Sequence, residues 1–399
     1  MDSMRNIAGY RKLTVSILIV FLFLSLSGCG KHIENIKPTP HSNKSVTSTS
    51  NIAKVNLSDC VYSRINYSSG EIEFLNSYKD LLIFSYGSGK PVKSTPPCLT
   101  YLNHIALYDT SKKSVIATYS ADKGYTQILG VINEDWIALE EYNNEECIPQ
   151  RIYVINRKTN RRNLVYKVDW IPKLGEEAQK TSMFLSGDNL YLEIAKFYKN
   201  DITEAEIRSI NLSNGSSKVL LTKKFKYYGI SFPFPNAGMN ASYIMFNCWN
   251  DYNESESFLY VFSIKENRVR KITLPDSIYK AQYPVVSSDN FVILEKYISV
   301  GHKDNKIIVS PVDKILQEVT TYDVDIVNIF ASKDYIVGEA LGPIVAINRH
   351  TGKISLINTK NAMEVHYGIY LSGDRLFIVG DIKDSTAGIV YLNLEKNGL

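Results

Sequence analysis

The residue best placed to do chemistry is Cys29. It follows Leu26-Ser27-Gly28. Small residues ahead of a cysteine let an extended chain enter a peptidase cleft, and the thiol, as thiolate, is a nucleophile. Upstream, Arg5, Arg11 and Lys12 precede an apolar run from Leu13 to Leu26 that only Thr14, Ser16 and Ser25 interrupt. That run has the length of the apolar region of an export signal, and is shorter than the roughly 20 residues a membrane-spanning helix needs.

This segment resembles the lipobox of bacterial lipoproteins. The resemblance implies cleavage after Gly28, with Leu26, Ser27 and Gly28 as the signal-peptidase motif and Cys29 as the lipidated first residue of the mature chain. It also implies a place on the extracytoplasmic side of a cell membrane, held there by acyl chains. Each buried methylene of such a chain contributes about 0.8 kcal/mol. From Lys31 to Ser50 the chain is rich in Pro, Ser, Thr, Asn and Lys. Such a segment buries too little surface to offset ordering and reads as a flexible tether. The expected organisation is a signal peptide over 1–28, a lipidated tether over 29–52 and one folded domain over 53–399.

The remaining chemistry-bearing residues are spread thinly. Cys60, Cys98, Cys147 and Cys248 are an even set that permits three disulfide connectivities outside the cytoplasm. Cys98 and Cys147 fall in corresponding loops of neighbouring repeats and are plausible partners. No two cysteines have C-x-x-C spacing and no histidine lies at ligand spacing, so no metal site is expected. No G-x-S-x-G is present. Gly87-Ser88-Gly89-Lys90 is followed by Pro91 and lacks the upstream glycine of a phosphate-binding loop. His32 and His41 lie in the tether and His350 in a turn. His104, His302 and His366 have no adjacent carboxylate–nucleophile pattern. We therefore assign no catalytic residue and no cofactor from sequence. Lys and Arg number 45 against 41 Asp and Glu, with no basic stripe, which argues against nucleic acid as a partner.

A repeat positions the rest. From about residue 70 the chain cycles through an apolar strand, a short polar turn, a second apolar strand, a longer loop, and a hairpin closed by Asn, Asp, Ser and Lys. Hairpins begin at Ile105, Ile152, Ile207, Leu259, Ile307, Ile344 and Ile389. A period of roughly 50 residues is that of propeller blades. The fold class is all-β: a β-propeller of seven four-stranded blades. The seventh unit stops one strand short at Leu399, so an N-terminal strand must complete the last blade, because an open end exposes unpaired edges. Ala53–Leu57 and Val61–Ile65 are the candidates. The hairpin Ala346-Ile-Asn-Arg-His-Thr-Gly-Lys-Ile-Ser-Leu356 resembles the repeat of quinoprotein-like propellers, with kinship to WD40-like and TolB-like ones. Asn348 stands for its Asp and Leu356 for the Trp that locks neighbouring blades in that family.

Loop lengths set the functional expectation. The first-to-second and third-to-fourth connections are tight and share one face; the long connections share the other, where a rigid scaffold more often carries binding residues. Tyr142, Glu145, Glu146, Trp249 and Tyr252 lie on those long loops and Trp170 on a blade connection. Aromatic and acidic groups at a ring mouth suit a glycan, a peptide or a cationic ligand. The expected role is a monomeric binding or scaffolding module for an envelope protein, peptide or glycan. The alternative is a hydrolase or lyase, which needs two carboxylates about 5–10 Å apart at that mouth, one with a raised pKa.

Overall fold

The computed structural model describes residues 33–36, 43–45, 52–66, 72–87, 102–125, 127–142, 150–168, 180–198, 202–226, 230–231, 239–249, 257–275, 284–296, 305–340, 342–382 and 386–399. Seven antiparallel sheets of four core strands make a seven-bladed propeller. In order from the axis outward, blade 1 is Ile72–Tyr78, Leu81–Tyr86, His104–Asp109 and Ser114–Ser120. Blade 2 is Gln127–Ile132, Trp136–Tyr142, Arg151–Asn156 and Arg161–Lys167. Blade 3 is Lys180–Ser186, Asn189–Tyr198, Ile202–Asn211 and Ser217–Lys226. Blade 4 is Ile230–Ser231, Tyr243–Trp249, Ser257–Ser263 and Arg268–Leu274. Blade 5 is Val285–Val286, Phe291–Lys296, Lys306–Pro311 and Val319–Tyr322. Blade 6 is Val327–Ala331, Tyr335–Glu339, Ile344–Asn348 and Ile354–Asn358. Blade 7 is Met363–Ser372, Arg375–Ile382, Thr386–Asn393 and, from the N-terminal side, Tyr62–Asn66.

The closing strand is therefore the second of the two candidates. Ile65 pairs with Ile389 in antiparallel register, and its side chain packs with Phe377 and Val379 of blade 7 and Leu82 and Phe84 of blade 1. The first candidate does something else: Ile52–Asn56 runs parallel to the outermost strand of blade 6, Ile52 beside Ile354 and Asn56 beside Asn358. Two shorter strands repeat that arrangement. Asn43–Ser45 lies parallel to the outer strand of blade 5 and Ile33–Ile36 to that of blade 4. Both fall in the stretch expected to be a flexible tether. The reason is that an outer strand presents a row of unpaired N–H and C=O groups to any segment that passes.

The core lies between blades rather than in one centre. Second strands are buried on both faces, as in Trp136–Tyr142 and Phe291–Lys296, which explains their near-continuous apolar runs. Outer hairpins turn on a shared device. The Asn or Asp closing the third strand accepts backbone N–H bonds from the turn: Asp109 from Ser111 and Lys112, Asn156 from Lys158 and Thr159, Asn348 from His350 and Thr351. Gly352 then takes a φ of 70°, which costs glycine little.

Hydrogen bonds between tight turns join neighbouring blades. Asn133 donates to the Gly187 carbonyl and the Trp136 indole to Asp188, linking blades 2 and 3. Asn240 reaches Ser287 across blades 4 and 5. Arg349 of blade 6 bridges Asp289 of blade 5 at 2.9 Å. Arg375 of blade 7 donates to the Lys79 carbonyl and to Asp80 of blade 1.

Candidate functional site

The axis of the ring holds a cavity of about 520 Å³. Inner strands and their turns line it, including Asn76 and Tyr78 of blade 1, Phe184 of blade 3, Phe330 of blade 6 and Tyr370 of blade 7. It opens toward the face of tight turns, whereas the expectation favoured the long-loop face. Most of that second face lies outside the described residues: Cys98, Glu145, Glu146, Cys147, Trp170 and Tyr252 do, as do Leu26, Ser27, Gly28 and Cys29. Cys248 and Trp249 end the second strand of blade 4. Tyr142 ends the second strand of blade 2 and is half-buried. Cys60 is a free, buried thiol whose pKa burial raises, with Asp59 adding to the rise.

Deeper along the same axis the blades carry a belt of acids. The fifth residue of the second strand is Glu140 in blade 2, Glu193 in blade 3, Glu295 in blade 5 and Glu339 in blade 6. Blade 4 has Asn247 there and blade 1 has Ser85, with Glu73 opposite Ser85 on the innermost strand. Glu140, Glu193 and Glu295 are buried. Both carboxylate oxygens of Glu193 and of Glu295 find no hydrogen-bond partner among the described residues.

Burial decides their protonation. A charge taken from water without a partner is so costly that the group holds its proton instead. Desolvation pushes the Glu193 carboxyl far above the usual range and raises Glu73 as well. Desolvation, and then the charge of Asp325, raise Glu295 to about 8. Tyr142 is pushed up by burial and then by Glu140 and Glu73; Tyr370 by burial and then by Glu73 and Glu339. Glu140, Tyr142, Glu73, Tyr370 and Glu339 thus form an electrostatically connected arc through blades 2, 1, 7 and 6. Tyr370 belongs to both this arc and the cavity wall.

His366 completes the arc. Its Nε2 lies 3.6 Å from Oε1 of Glu339, whose Oε2 accepts a 2.6 Å hydrogen bond from Asn328. On the other side of the ring, Nδ1 is 3.4 Å from the Thr359 hydroxyl. Two register shifts, between Met363 and Val365 and between His366 and Gly368, set His366 in an irregular stretch of the innermost strand. Bulges re-aim side chains and recur beside functional sites. Gly380 faces His366 across the ladder, and a Cβ there would lie 2.7 Å from the His366 Cα. The strand can approach this closely only because residue 380 has no side chain.

An imidazole beside a carboxylate that also acts on the Tyr370 phenol can accept one proton while a neighbour donates another. It can equally hydrogen-bond a polar ligand. His366 has no local motif in the sequence, and the acids fall one to a blade, so neither stands out locally. A signal existed for the latter: Ile137-Ala-Leu-Glu140, Leu190-Tyr-Leu-Glu193, Val292-Ile-Leu-Glu295 and Ile336-Val-Gly-Glu339 recur at one strand position. Among the described residues no group of three or more His, Cys, Asp or Glu side chains is arranged to hold a metal ion.

The fold defines a seven-bladed β-propeller. No family model matches the chain, and no curated protein does. Solved structures match in fold. The propeller domain of the trilobed protease from Pyrococcus furiosus, described as having an open velcro topology, aligns at a TM-score of 0.55 and 12% identity, over 83% of this chain and 96% of that one. An acylaminoacyl peptidase aligns at 0.54 and 12% identity, over 80% of this chain, which spans only 51% of that one. The polysaccharide lyase Uly1 aligns at 0.52 and 11% identity, over 86% and 96%. In this chain Tyr62–Asn66 closes the ring.

Proposed function

We propose that this protein is an extracytoplasmic lipoprotein, anchored through Cys29, whose propeller binds an envelope glycan, peptide or protein segment in its axial channel. The observation that carries the binding reading is Tyr370, which joins a cavity of about 520 Å³ to the arc of His366, Glu339 and Glu73. Binding sites are concave, mostly apolar, and carry a few convergent polar groups. The anchor reading is supported by Leu26-Ser27-Gly28-Cys29 behind a basic and apolar leader.

Two experiments test it. Affinity capture from the native envelope, with wild-type protein and with Tyr370→Phe/His366→Gln as baits, should recover a ligand only with the first. Equal recovery would rule the channel out as the site. For the anchor, a globomycin-type inhibitor of the lipoprotein signal peptidase should leave the precursor uncleaved, and normal processing in its presence would contradict lipidation.

A second reading is a propeller lyase or hydrolase. It is favoured by the His366–Glu339 contact beside Tyr370, an arrangement able to withdraw a proton from one substrate atom and return one to a leaving group. It also fits the fold likeness to two lyases, an oligogalacturonate lyase from Vibrio parahaemolyticus and Uly1. Incubation with uronate-containing polysaccharides, followed by the absorbance of the unsaturated product, separates this reading from simple binding.

A further inference from the structure

The outer rim of the ring is unequally covered. N-terminal strands lie along the outer edges of blades 4, 5 and 6, and Tyr62–Asn66 is itself the outer strand of blade 7. Among the described residues nothing pairs with the outer edges of blades 1, 2 and 3. Those three edges also carry exposed apolar side chains, in the first half of the outer strand in blades 1 and 3 and at its middle in blade 2. Val115 and Ile116 are 45% and 44% exposed, Leu164 51% and Val219 41%. Val115, Ile116 and Val219 sit toward the end of the strand that the outer turn feeds, and Leu164 at mid-strand, so the four line the outer-turn half of the rim.

The outer strands and turns of these blades carry charge of one sign. Residues 111–120, 157–167 and 213–226 hold eleven Lys or Arg and no Asp or Glu. Several of these cations are already engaged, such as Lys158 with Asp135 and Arg162 with Glu141. Lys113, Arg161, Lys167, Lys218 and Lys223 form no ion pair with a described carboxylate. Exposed aliphatic side chains interspersed with cations that pair with no described carboxylate match an interfacial, anionic surface, where apolar groups enter the headgroup boundary and cations meet lipid charge.

The first described strand begins at the same end of the ring, one blade away. Ile33 pairs with Val269, at the outer-turn end of blade 4 and next to blade 3. Ile33 is the fourth residue after Cys29, a reach of at most about 14 Å. We propose that the outer-turn end of blades 1–3 rests on the membrane, binding anionic lipid through Lys113, Arg161 and Lys218 with Ile116, Leu164 and Val219 inserted between headgroups. This rests on the lipoprotein reading for the position of Cys29, and adds to it an orientation: rim toward the bilayer, with the channel axis along the surface.

The test uses the mature acylated protein in vesicles of phosphatidylcholine alone or with phosphatidylglycerol. Exposed amines are labelled and the sites read by mass spectrometry. Lys113, Lys218 and Lys223 should lose labelling severalfold only with phosphatidylglycerol, while Lys333 and Lys360 on the far side label equally in both. Replacing Lys113, Arg161 and Lys218 by Gln should restore labelling of Lys223, since each cation removed weakens lipid contact by on the order of fivefold. Equal labelling of Lys218 in the two vesicle types would overturn the proposal. So would equal protection by a soluble polyanion without vesicles, which would assign the surface to an anionic polymer. An intact mass lacking the acyl group would instead overturn the lipoprotein reading, and the labelling contrast would still report on the rim.

Discussion

Nε2 of His366, on the innermost strand of blade 7, lies 3.6 Å from Oε1 of Glu339, on the second strand of blade 6. Neither strand alone carries a functional pattern. The ring brings the pair together, and the bulged register around His366 sets where the imidazole sits. Replacing either residue by Gln should leave the fold intact and weaken ligand binding by about 10- to 100-fold, the loss expected for a hydrogen bond to a charged group. Under the lyase reading the same variants should lower kcat by about 10²- to 10⁴-fold, as for a general acid or base. Calorimetric titration and the product absorbance report the two cases separately.

Gly380 tests the positioning of that histidine without touching its chemistry. A methyl group at residue 380 would press on the His366 Cα and the Val365 carbonyl. Gly380→Ala should therefore displace the innermost strand and reduce ligand affinity, with circular dichroism still reporting a folded β protein. Gly373→Ala, in a turn where a Cβ meets nothing within 4 Å, should leave affinity unchanged while destabilising the fold by about 1–2 kcal/mol, the cost of a φ of 61° to a residue with a Cβ.

The buried acids make stability depend on pH. Glu295 titrates at about 8 in the folded chain against an ordinary 4.5. The folded state thus holds a proton that the unfolded chain releases. Its stabilisation is complete below about pH 4.5 and is lost as the pH rises through the interval up to about 8. Glu193 is shifted in the same direction. The melting temperature should fall between pH 5 and pH 8. Glu295→Gln and Glu193→Gln should each flatten that fall, and each should stabilise the protein at pH 8 by on the order of 1–3 kcal/mol. A variant with an unchanged slope would place the titration elsewhere.

Closure of the ring by Tyr62–Asn66 predicts an asymmetry between two neighbouring residues. Ile65 is buried between blades 7 and 1, whereas Val61 is 82% exposed. Ile65→Ala should destabilise by about 2–5 kcal/mol. Val61→Ala should stay within about 0.5 kcal/mol. Chemical denaturation measures both.

Much of the fold is legible in the sequence because each blade restates the same local physics. Asn156 and Asn348 cap their outer turns, and apolar second strands such as Trp136–Leu139 announce burial on both faces. The closing strand is legible as one of two, because alternation marks Ala53–Leu57 and Val61–Ile65 alike; only the ring decides that the second completes blade 7. The strands at Ile33–Ile36 and Asn43–Ser45 were not legible, since their pairing comes from the edge they meet and not from their own polar composition. The site was legible least. Tyr142 was named, but for a loop face. Its neighbours Glu73 and Glu140, and the pair His366 and Glu339, are joined across blades by closure of the ring, and sequence distance hides that.

The most direct test of the channel reading compares three proteins on arrays of envelope glycan and peptide fragments: wild type, Tyr370→Phe/His366→Gln, and Trp170→Ala/Trp249→Ala. Binding should be lost in the channel variant and kept in the loop variant. Binding kept in the channel variant and lost in the loop variant would contradict the account and return the site to the long-loop face.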